Sequence, residues 1–168
     1  AENGAKVAIN FQRNQAAAQE TLALIAECGA EAMLVQADVA SEADVDRMVE
    51  EIGAQFGSVD LLVNNAGIAT SAEHGEFGFA EWQRMFAVNV DGPFLTTWAV
   101  KNQMIAQRFG RIVNISSLAA IQLKRNMIHY ATTKAAVVAF TRHTAHALAE
   151  HNVLVNCLAP GLIDTDLA

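Results

Sequence analysis

The chain has 168 residues, a hydrophobic fraction of 52% and a formal net charge of −7, from 18 acidic and 11 basic side chains. Its length suits one domain over residues 1–168 with a sizeable core, and its acidity argues against nucleic acid and anionic membranes as partners, because phosphate binding needs a basic face. No apolar run approaches the roughly 20 residues of a membrane span, and Cys28 and Cys157 match no metal-binding spacing. We therefore expect a cytoplasmic protein with reduced thiols, no membrane association and no metal.

Short apolar segments alternate with helical segments along the chain. The pattern predicts strands at 6–11, 32–37, 59–63, 111–115 and 153–158, and helices at 14–28, 41–56, 79–108 and 127–151. Gly92 and Pro93 must kink or interrupt the third of these helices. Apolar strands that alternate with helices indicate an α/β fold, in which a parallel sheet is covered by helices on both faces.

Small and polar residues follow the predicted strands. They are Asp38, Asn64-Asn65-Ala66-Gly67, Ser116-Ser117 and Pro160-Gly161. Ligands of parallel α/β sheets bind at the carboxyl ends of the strands, so we expect these residues to converge at one edge. Each one taken alone also suits an ordinary turn or cap.

The chain's only tyrosine, Tyr130, lies four residues before Lys134 at the start of a predicted helix. Residues with this spacing share a helix face, with Cβ atoms about 5–6 Å apart. An ammonium group so close favours a phenolate and lowers the pKa of a tyrosine from about 10, which suits proton exchange near neutral pH. The alternative is a core tyrosine beside a solvated lysine, and the pair alone does not exclude it.

Two more polar residues lie where chemistry is plausible. Asn89 is a lone amide in the apolar stretch 86–90, just before the break at residues 92–93, where an interrupted helix frees a carbonyl to hold water. The alternative is an asparagine that simply caps the break. Ser117 stands 13 residues before Tyr130 at a strand end, and no Gly-x-Ser-x-Gly motif surrounds it, which argues against a hydrolase nucleophile.

The order and spacing of these residues carry a resemblance. The motifs are Asp38, Asn64-Asn65-Ala66-Gly67, Asn89, Ser117, Tyr130-x-x-x-Lys134 and Pro160-Gly161-x-x-x-Thr165. The chain resembles the short-chain dehydrogenase/reductase family over essentially all 168 residues, and is most similar to its β-ketoacyl-acyl-carrier-protein reductase and sugar-dehydrogenase-like branch. The resemblance implies a Rossmann-like doubly wound parallel sheet and an oxidoreductase that interconverts a ketone and a secondary alcohol.

The resemblance also implies roles for the matching residues. Tyr130 would be the general acid/base, Lys134 would favour its ionised form and bind the nicotinamide ribose, and Ser117 would bind the substrate oxygen. Asn89 would hold a water that relays protons to Lys134. The cofactor-binding residues would be Asp38 and Val39 at the adenine, Asn65, Ala66 and Gly67 along the groove, Pro160 and Gly161, and Ile163 and Thr165 at the carboxamide.

The end of the first strand bears on the choice of cofactor. NAD-dependent enzymes usually carry an acid there that binds the ribose 2′-hydroxyl. This strand ends in Asn10-Phe11-Gln12-Arg13-Asn14, without an acid, and Arg13 can pair with a 2′-phosphate. We predict NADP(H) in preference to NAD(H).

The family's opening strand and glycine-rich turn, Thr-Gly-x-x-x-Gly-x-Gly, have no match in this chain. Residues 1–5 suit the last turn of a helix, and the family's final strand after Thr165 has no counterpart, so we expect residues to be missing at both ends. A sheet that lacks its central strand divides in two and exposes apolar surface. The alternative function is therefore that of an inactive fragment or non-catalytic relative that acts as a binding or assembly partner.

The partners implied are a small-molecule carbonyl or alcohol substrate and further copies of the chain. The resemblance implies a homotetramer or homodimer, assembled through the helices predicted at 79–108 and 127–151. The alternative is that the alanine-rich face of the second helix packs against the chain's own sheet. Residues 118–128 would shape the substrate pocket, whose substrate the sequence does not identify.

Overall fold

A computed structural model describes residues 1–163 of the protein. The strands are β1 (Val7–Phe11), β2 (Ala32–Gln36), β3 (Leu61–Asn64), β4 (Gly110–Ile115) and β5 (Val153–Leu158). The α-helices are α1 (Gln15–Glu27), α2 (Glu42–Phe56), α3 (Phe79–Phe86), α4 (Gly92–Gln107) and α5 (Ile128–Leu148). A π-helical turn spans Ala87–Asp91, and short 3₁₀ turns span Leu118–Ala120 and Ala149–His151.

The chain divides into two compact units, residues 1–59 and 60–168. Its strands accordingly lie in two sheets, β1-β2 and β3-β4-β5. The sequence predicts this division of the sheet. The prediction of a single domain over residues 1–168 stays a prediction.

In the first unit, β1 and β2 pair in parallel, with Val7 opposite Ala32. Helix α1 begins after Asn14, whose side chain accepts a hydrogen bond from the Ala17 amide. Helix α2 begins after Ser41, whose hydroxyl accepts from the Asp44 amide at 3.3 Å. These bonds satisfy amides that a helix leaves unpaired at its start, so both helices begin where the sequence predicts.

In the second unit, the parallel strands have the order β3-β4-β5. Asn64 and Asn114 are opposite each other in the register, and the Asn64 side-chain amide donates to Asn114 Oδ1 at 2.8 Å. The same Asn64 amide also donates to Thr97 of α4, and Asn114 donates to Thr141 of α5. Helices α4 and α5 therefore cover the same face of this sheet, through polar contacts that fix their register.

The opposite face of β3 remains open to solvent. Leu61 and Val63 are 57% and 60% exposed. Alternation along a strand puts these two side chains on the face that Asn64 does not share. The expected exposure of apolar surface is thus present on this sheet.

The helix interruption predicted at residues 92–93 is a π-helical turn. The Gly92 amide donates to the Ala87 carbonyl, five residues earlier. Proline 93 has no N–H, so the Asn89 carbonyl lacks the donor that an α-helix would supply four residues later. Such single turns occur frequently at functional sites.

Candidate active site

Tyr130 and Lys134 lie in the first two turns of α5, as the sequence predicts. Lys134 is 5% exposed, and its Nζ lies 5.7 Å from the centroid of the Tyr130 ring. Burial lowers the pKa of Lys134, because it disfavours the charged form, while the nearby Cys157 thiol acts in the opposite direction. A cation thus stands beside the tyrosine, largely withdrawn from water.

Backbone contacts at the end of β4 hold the lysine in place. Its Nζ donates to the Ile115 carbonyl at 2.9 Å, and the buried Ser116 hydroxyl donates to the Lys134 carbonyl at 2.7 Å. An ammonium group has three N–H donors. Among residues 1–163, the Ile115 carbonyl is the one hydrogen-bond acceptor that Nζ contacts, which leaves two donors for a ligand.

The backbone at Gly67 closely approaches this ammonium group. A Cβ at residue 67 would lie 3.5 Å from Lys134 Nζ and 3.3 Å from Asn89 Oδ1. The loop after β3 thus comes close to both side chains because residue 67 has none. Gly67, Asn89 and Lys134 are therefore neighbours in the structure.

The Asn89 side chain is buried and fully engaged. Its Oδ1 accepts from the Ile68 amide, and its Nδ2 donates to the Ile68 carbonyl, both at 2.9 Å. Its Nδ2 also lies 3.1 Å from the Met85 sulfur and from Thr133 Oγ1. The side chain therefore fixes the loop after β3.

Ser117 is half-buried at the end of β4, where it caps a 3₁₀ turn. Its Oγ accepts from the Ala119 amide at 3.1 Å. A hydroxyl that accepts one bond keeps its hydrogen for another acceptor. Ser117 is therefore able to donate to a substrate oxygen, whereas Ser116 has committed its hydrogen to Lys134.

The loops after β4 and β5 are joined by their backbones. The Ser116 amide donates to the Leu158 carbonyl, and the Leu118 amide donates to the Pro160 carbonyl at 2.9 Å. A Cβ on Gly161 would contact Leu118 at 3.4 Å. These contacts bring Pro160 and Gly161 next to the serine loop.

The remaining predicted residues of the second unit have little burial. Asn65, Ala66, Gly161 and Ile163 are exposed. Thr165 lies outside the described residues. An exposed loop after β3 is compatible with the predicted groove, whose occupant these contacts do not identify.

Asp38, Val39 and Arg13 belong to the first unit. Asp38 accepts from the Gln12 side chain at 2.7 Å and from the Ala40 amide at 3.0 Å, while Val39 is half-buried and Arg13 is exposed. The Gln12 side chain, directly after β1, therefore donates a hydrogen bond to one oxygen of the Asp38 carboxylate.

An open pocket of about 480 Å³ lies beside these residues. Gln12, Asp38, Asp44, Arg47 and Glu51 contribute to its lining. Arg47 pairs with Asp44 and Glu51, so the carboxylates outnumber the one guanidinium. The pocket does not suit a phosphate group.

Sequence reasoning missed several polar residues that support the site. Thr133 binds Asn89, and His129, fully buried, binds Thr70. A histidine or threonine on a helix face gives no signal by itself, since its partner lies far away in the chain. The sequence holds one signal of such buried polar contacts, which is the recurrence of threonine in α4 and α5 at positions 96, 97, 133, 141 and 144.

Of the helices among residues 1–163, none has the length and apolar character needed to cross a membrane. Within the same residues, no group of three or more His, Cys, Asp or Glu side chains is placed to hold a metal ion.

Comparisons with known proteins identify the family. The family described as short chain dehydrogenase matches residues 1–168. A 3-oxoacyl-[acyl-carrier-protein] reductase of Synechocystis is 38% identical over 167 residues, 99% of this chain and 68% of the relative. The corresponding reductase of Aquifex aeolicus is 38% identical over 156 residues, 93% of this chain and 62% of the relative.

Solved structures agree with this result. A gluconate 5-dehydrogenase from Burkholderia cenocepacia, in complex with NADP and tartrate, has a TM-score of 0.91 at 36% identity, covering 99% of this chain and 65% of its own. An NAD+-bound xylitol dehydrogenase also has a TM-score of 0.91, at 37% identity, covering 95% of this chain and 62% of its own. The chain thus spans about two thirds of the length of these relatives.

Parallel strands flanked by helices, with a fold shared by solved dehydrogenases, define a Rossmann-like α/β protein. The chain belongs to the short chain dehydrogenase family. The predictions of the fold class and of the family are both confirmed.

Proposed function

We propose that the protein is an NADP(H)-dependent oxidoreductase that interconverts a ketone and a secondary alcohol. The observation that carries this proposal is the buried Lys134 ammonium, beside Tyr130 and 3.5 Å from the position of a Cβ on Gly67. A cation withdrawn from water, with two N–H donors that bond to nothing among residues 1–163, suits a ligand rich in hydroxyl groups. The ribose of a nicotinamide cofactor is such a ligand, so these residues fit it.

A bound nicotinamide would supply the hydride to the substrate carbon, or accept it in the reverse direction. Lys134 would bind the ribose hydroxyls, and Gly67 would line the groove with Asn65 and Ala66. Ile163, Pro160 and Gly161 would contact the cofactor from the loop after β5, and Thr165 is proposed to join them. Asp38 and Val39 would contact the adenine.

The proton chemistry belongs to the chain's own side chains. Tyr130 donates its phenolic proton to the carbonyl oxygen during reduction, and the Lys134 ammonium stabilises the resulting phenolate. Ser117 donates the hydrogen of its hydroxyl to the same substrate oxygen, where negative charge develops. Water held at the Asn89 carbonyl returns a proton towards Lys134.

The first prediction concerns Tyr130→Phe, which removes the acidic hydroxyl and keeps the ring. We expect turnover to fall by at least about 100-fold, because general acid catalysis contributes roughly 10²–10⁴ in rate. The assay follows NADPH oxidation with a 3-oxoacyl thioester and a keto-sugar acid, the substrate classes named for the relatives. Circular dichroism checks that the fold is kept.

Thr132→Val is the matched control on the same helix, since Thr132 is exposed and, among residues 1–163, its hydroxyl bonds to the Ile128 carbonyl within α5. Its turnover should equal that of the unmodified protein. Equal turnover in Tyr130→Phe would exclude the mechanism. Saturable NADPH binding without turnover of any ketone would favour a non-catalytic relative instead.

The second prediction concerns Arg13, which follows a strand end without an acid. The pocket beside Asp38 is rich in carboxylates and does not suit a phosphate. Arg13 lies outside its lining and carries a positive charge, so we propose Arg13 as the partner of the 2′-phosphate. We expect Arg13→Ala to raise the Kd for NADPH about 10-fold, as for loss of one charged hydrogen bond, and to leave the Kd for NADH unchanged. Fluorescence titration with both cofactors measures the ratio.

Arg47→Ala is the control for this titration, because Arg47 already pairs with Asp44 and Glu51 and binds the Gln36 carbonyl. It should change neither affinity by more than about twofold. A clear preference of the unmodified protein for NADH would reject the choice of NADP(H).

The proposal includes assembly as a homotetramer or homodimer through α4 and α5. Phe94, Trp98 and Phe140 form an aromatic cluster there, with the rings of Phe94 and Trp98 stacked 4.5 Å apart. Trp98 is 44% exposed, and tryptophan is enriched at energetically important interface positions. A cytoplasmic location is proposed as well, supported by the free thiols of Cys28 and Cys157.

A further inference from the structure

His129 is a fully buried titratable side chain directly before Tyr130. It is 0% exposed, in the first turn of α5, and its ring packs against Phe77 with centroids 4.5 Å apart. Its Nε2 lies 2.6 Å from Thr70 Oγ1. A polar group buried this deeply at the start of the catalytic helix needs a reason, and the mechanism proposed above does not use it.

The hydrogen bonds around Thr70 define which ring nitrogen carries the proton. The Thr70 hydroxyl donates its single hydrogen to Glu81 Oε1 at 2.9 Å. An ionised carboxylate can only accept, so the same hydroxyl oxygen must accept from His129 Nε2–H. Glu81, in turn, is half-buried, and its Oε2 lies 3.5 Å from the guanidinium of the exposed Arg84. The charge of Glu81 therefore fixes the tautomer of His129 through Thr70.

The other ring nitrogen has no partner. Among residues 1–163, His129 Nδ1 is the buried side-chain nitrogen or oxygen atom without a hydrogen bond. An unpaired buried acceptor costs about 1–3 kcal/mol. This cost falls on the residue next to Tyr130. The same ring makes a short bond to Thr70 through Nε2, and that bond holds the ring in one orientation.

Neighbouring contacts join the same two segments. The Ala72 amide donates to the Asn126 carbonyl at 2.9 Å, and the Asn126 side chain reaches Ser71 Oγ at 3.4 Å. Asn89 holds Ile68 on the other side of Thr70. Thr70 thus sits in a segment that is fixed by the π-helical turn and attached to the start of α5.

We propose that His129 is a positioning residue, which together with Thr70 and Glu81 fixes the first turn of α5 and thereby the orientation of Tyr130. The inference rests on the proposed function, in which Tyr130 is the acid/base. His129 acts through the backbone that it shares with Tyr130, and it touches neither substrate nor cofactor.

The test compares Thr70→Val, which removes the hydroxyl, with Thr70→Ser, which keeps it. In the intact protein we expect Thr70→Val to lower kcat about 10- to 100-fold, the effect of a small misplacement of a reacting group, with KM for NADPH changed less than twofold. Thr70→Ser should restore kcat to within about threefold. Thr132→Val removes the hydrogen bond from the Thr132 hydroxyl to the Ile128 carbonyl at the start of α5. Its kcat and its KM for NADPH should equal those of the unmodified protein.

Two spectroscopic readouts do not depend on turnover. Tyr130 is the only tyrosine, so ¹³C-tyrosine labelling gives one set of ring signals that reports its orientation. We expect that set to shift or broaden in Thr70→Val and to return in Thr70→Ser. In ¹⁵N-histidine spectra, His129 should have a protonated Nε2 and an unprotonated Nδ1, and Glu81→Gln should admit the second tautomer, because an amide can donate to Thr70.

The outcomes are separable. Tyrosine signals and kcat that are the same in Thr70→Val as in the unmodified protein would overturn the proposal, as would a protonated Nδ1 in the unmodified protein. If the tyrosine signals respond to Thr70 as expected while the unmodified protein turns over no ketone, the proposed function fails and the positioning of Tyr130 stands. A Thr70→Val protein that does not fold is replaced by Glu81→Gln, in which the same tyrosine and histidine signals must change.

Discussion

At the scale of single residues, Lys134 carries its charge in surroundings that disfavour it. Burial lowers its pKa, since the protein interior stabilises an ammonium group less well than water does. Its one bond among the described residues, to the Ile115 carbonyl, offsets part of that cost. A protein does not gain stability from such a lysine, which is the pattern expected where a residue is kept for chemistry.

The third prediction is the pH dependence that this lowered pKa produces. Between the lowered pKa of Lys134 in the folded protein and the ordinary lysine pKa of 10.5, the unfolded chain binds more protons, so stability rises with pH. Below that window both states are protonated and the full cost is present, while above it both are neutral. Lys134→Met should abolish this contribution, which amounts to about 1.36 kcal/mol for each unit by which the pKa is lowered.

Urea unfolding between neutral pH and pH 10.5 checks this expectation. The difference in unfolding free energy between the unmodified protein and Lys134→Met should change in favour of the unmodified protein as pH rises. Lys124→Met replaces an exposed lysine and should leave the pH dependence as it was. The same slope in all three proteins would contradict the burial argument.

Part of this site could be predicted from the sequence and part could not. The four-residue spacing of Tyr130 and Lys134 dictates a shared helix face, because the geometry of a helix is local. The bond between His129 and Thr70 joins residues 59 positions apart, and nothing local in the sequence reports it. The roles given to the individual site residues remain predictions until the variants are measured.

At the scale of elements, boundaries follow local signals where those signals are strong. Helices α1 and α2 begin and end close to the predicted residues, because Asn14 and Ser41 cap them and Gly29 and Gly57 adopt positive φ after them. Pro93 predicts the break in the third helix of the sequence analysis. The sequence does not predict that the break is a π-helical turn, because Asn89 in that turn bonds to Ile68, 21 residues earlier in the chain.

The fourth prediction compares glycines in two elements. A Cβ on Gly110 in β4 would lie 2.5 Å from Met104 Sδ and 2.8 Å from Met104 Cβ, and Met104 is fully buried in α4. A Cβ on Gly53 inside α2 would meet nothing within 4 Å. Gly110→Ala should therefore cost about 1–3 kcal/mol by overpacking, whereas Gly53→Ala should gain roughly 0.5–1 kcal/mol by helix propensity.

Denaturant unfolding of the two alanine variants measures both signs. Each substitution adds the same methyl group, so each is the control for the other. A Gly110→Ala protein as stable as the unmodified one would mean that β4 and α4 are packed less closely than these distances require.

At the scale of the whole molecule, the chain presents apolar side chains at places that its own described residues do not cover. Leu61 and Val63 lie on the open face of β3, and Trp98 lies on α4. Isolated apolar side chains at a surface are ordinary, but a stacked pair of large rings beside a third is a concentrated patch. A substitution in the aromatic cluster of Phe94, Trp98 and Phe140 therefore tests whether the protein assembles through α4 and α5.

The fifth prediction is that Trp98→Ala weakens self-association while the fold is kept. Truncation of a tryptophan that anchors an interface costs about 2 kcal/mol or more, which corresponds to an association constant lowered roughly 30-fold. Analytical ultracentrifugation over a range of concentrations should show the variant shifted towards the monomer. Leu24→Ala, which truncates an exposed apolar residue of α1, is the control and should sediment as the unmodified protein does. Identical sedimentation of Trp98→Ala and the unmodified oligomer would assign assembly to another surface, and a monomeric unmodified protein would remove the proposal that α4 and α5 form an interface.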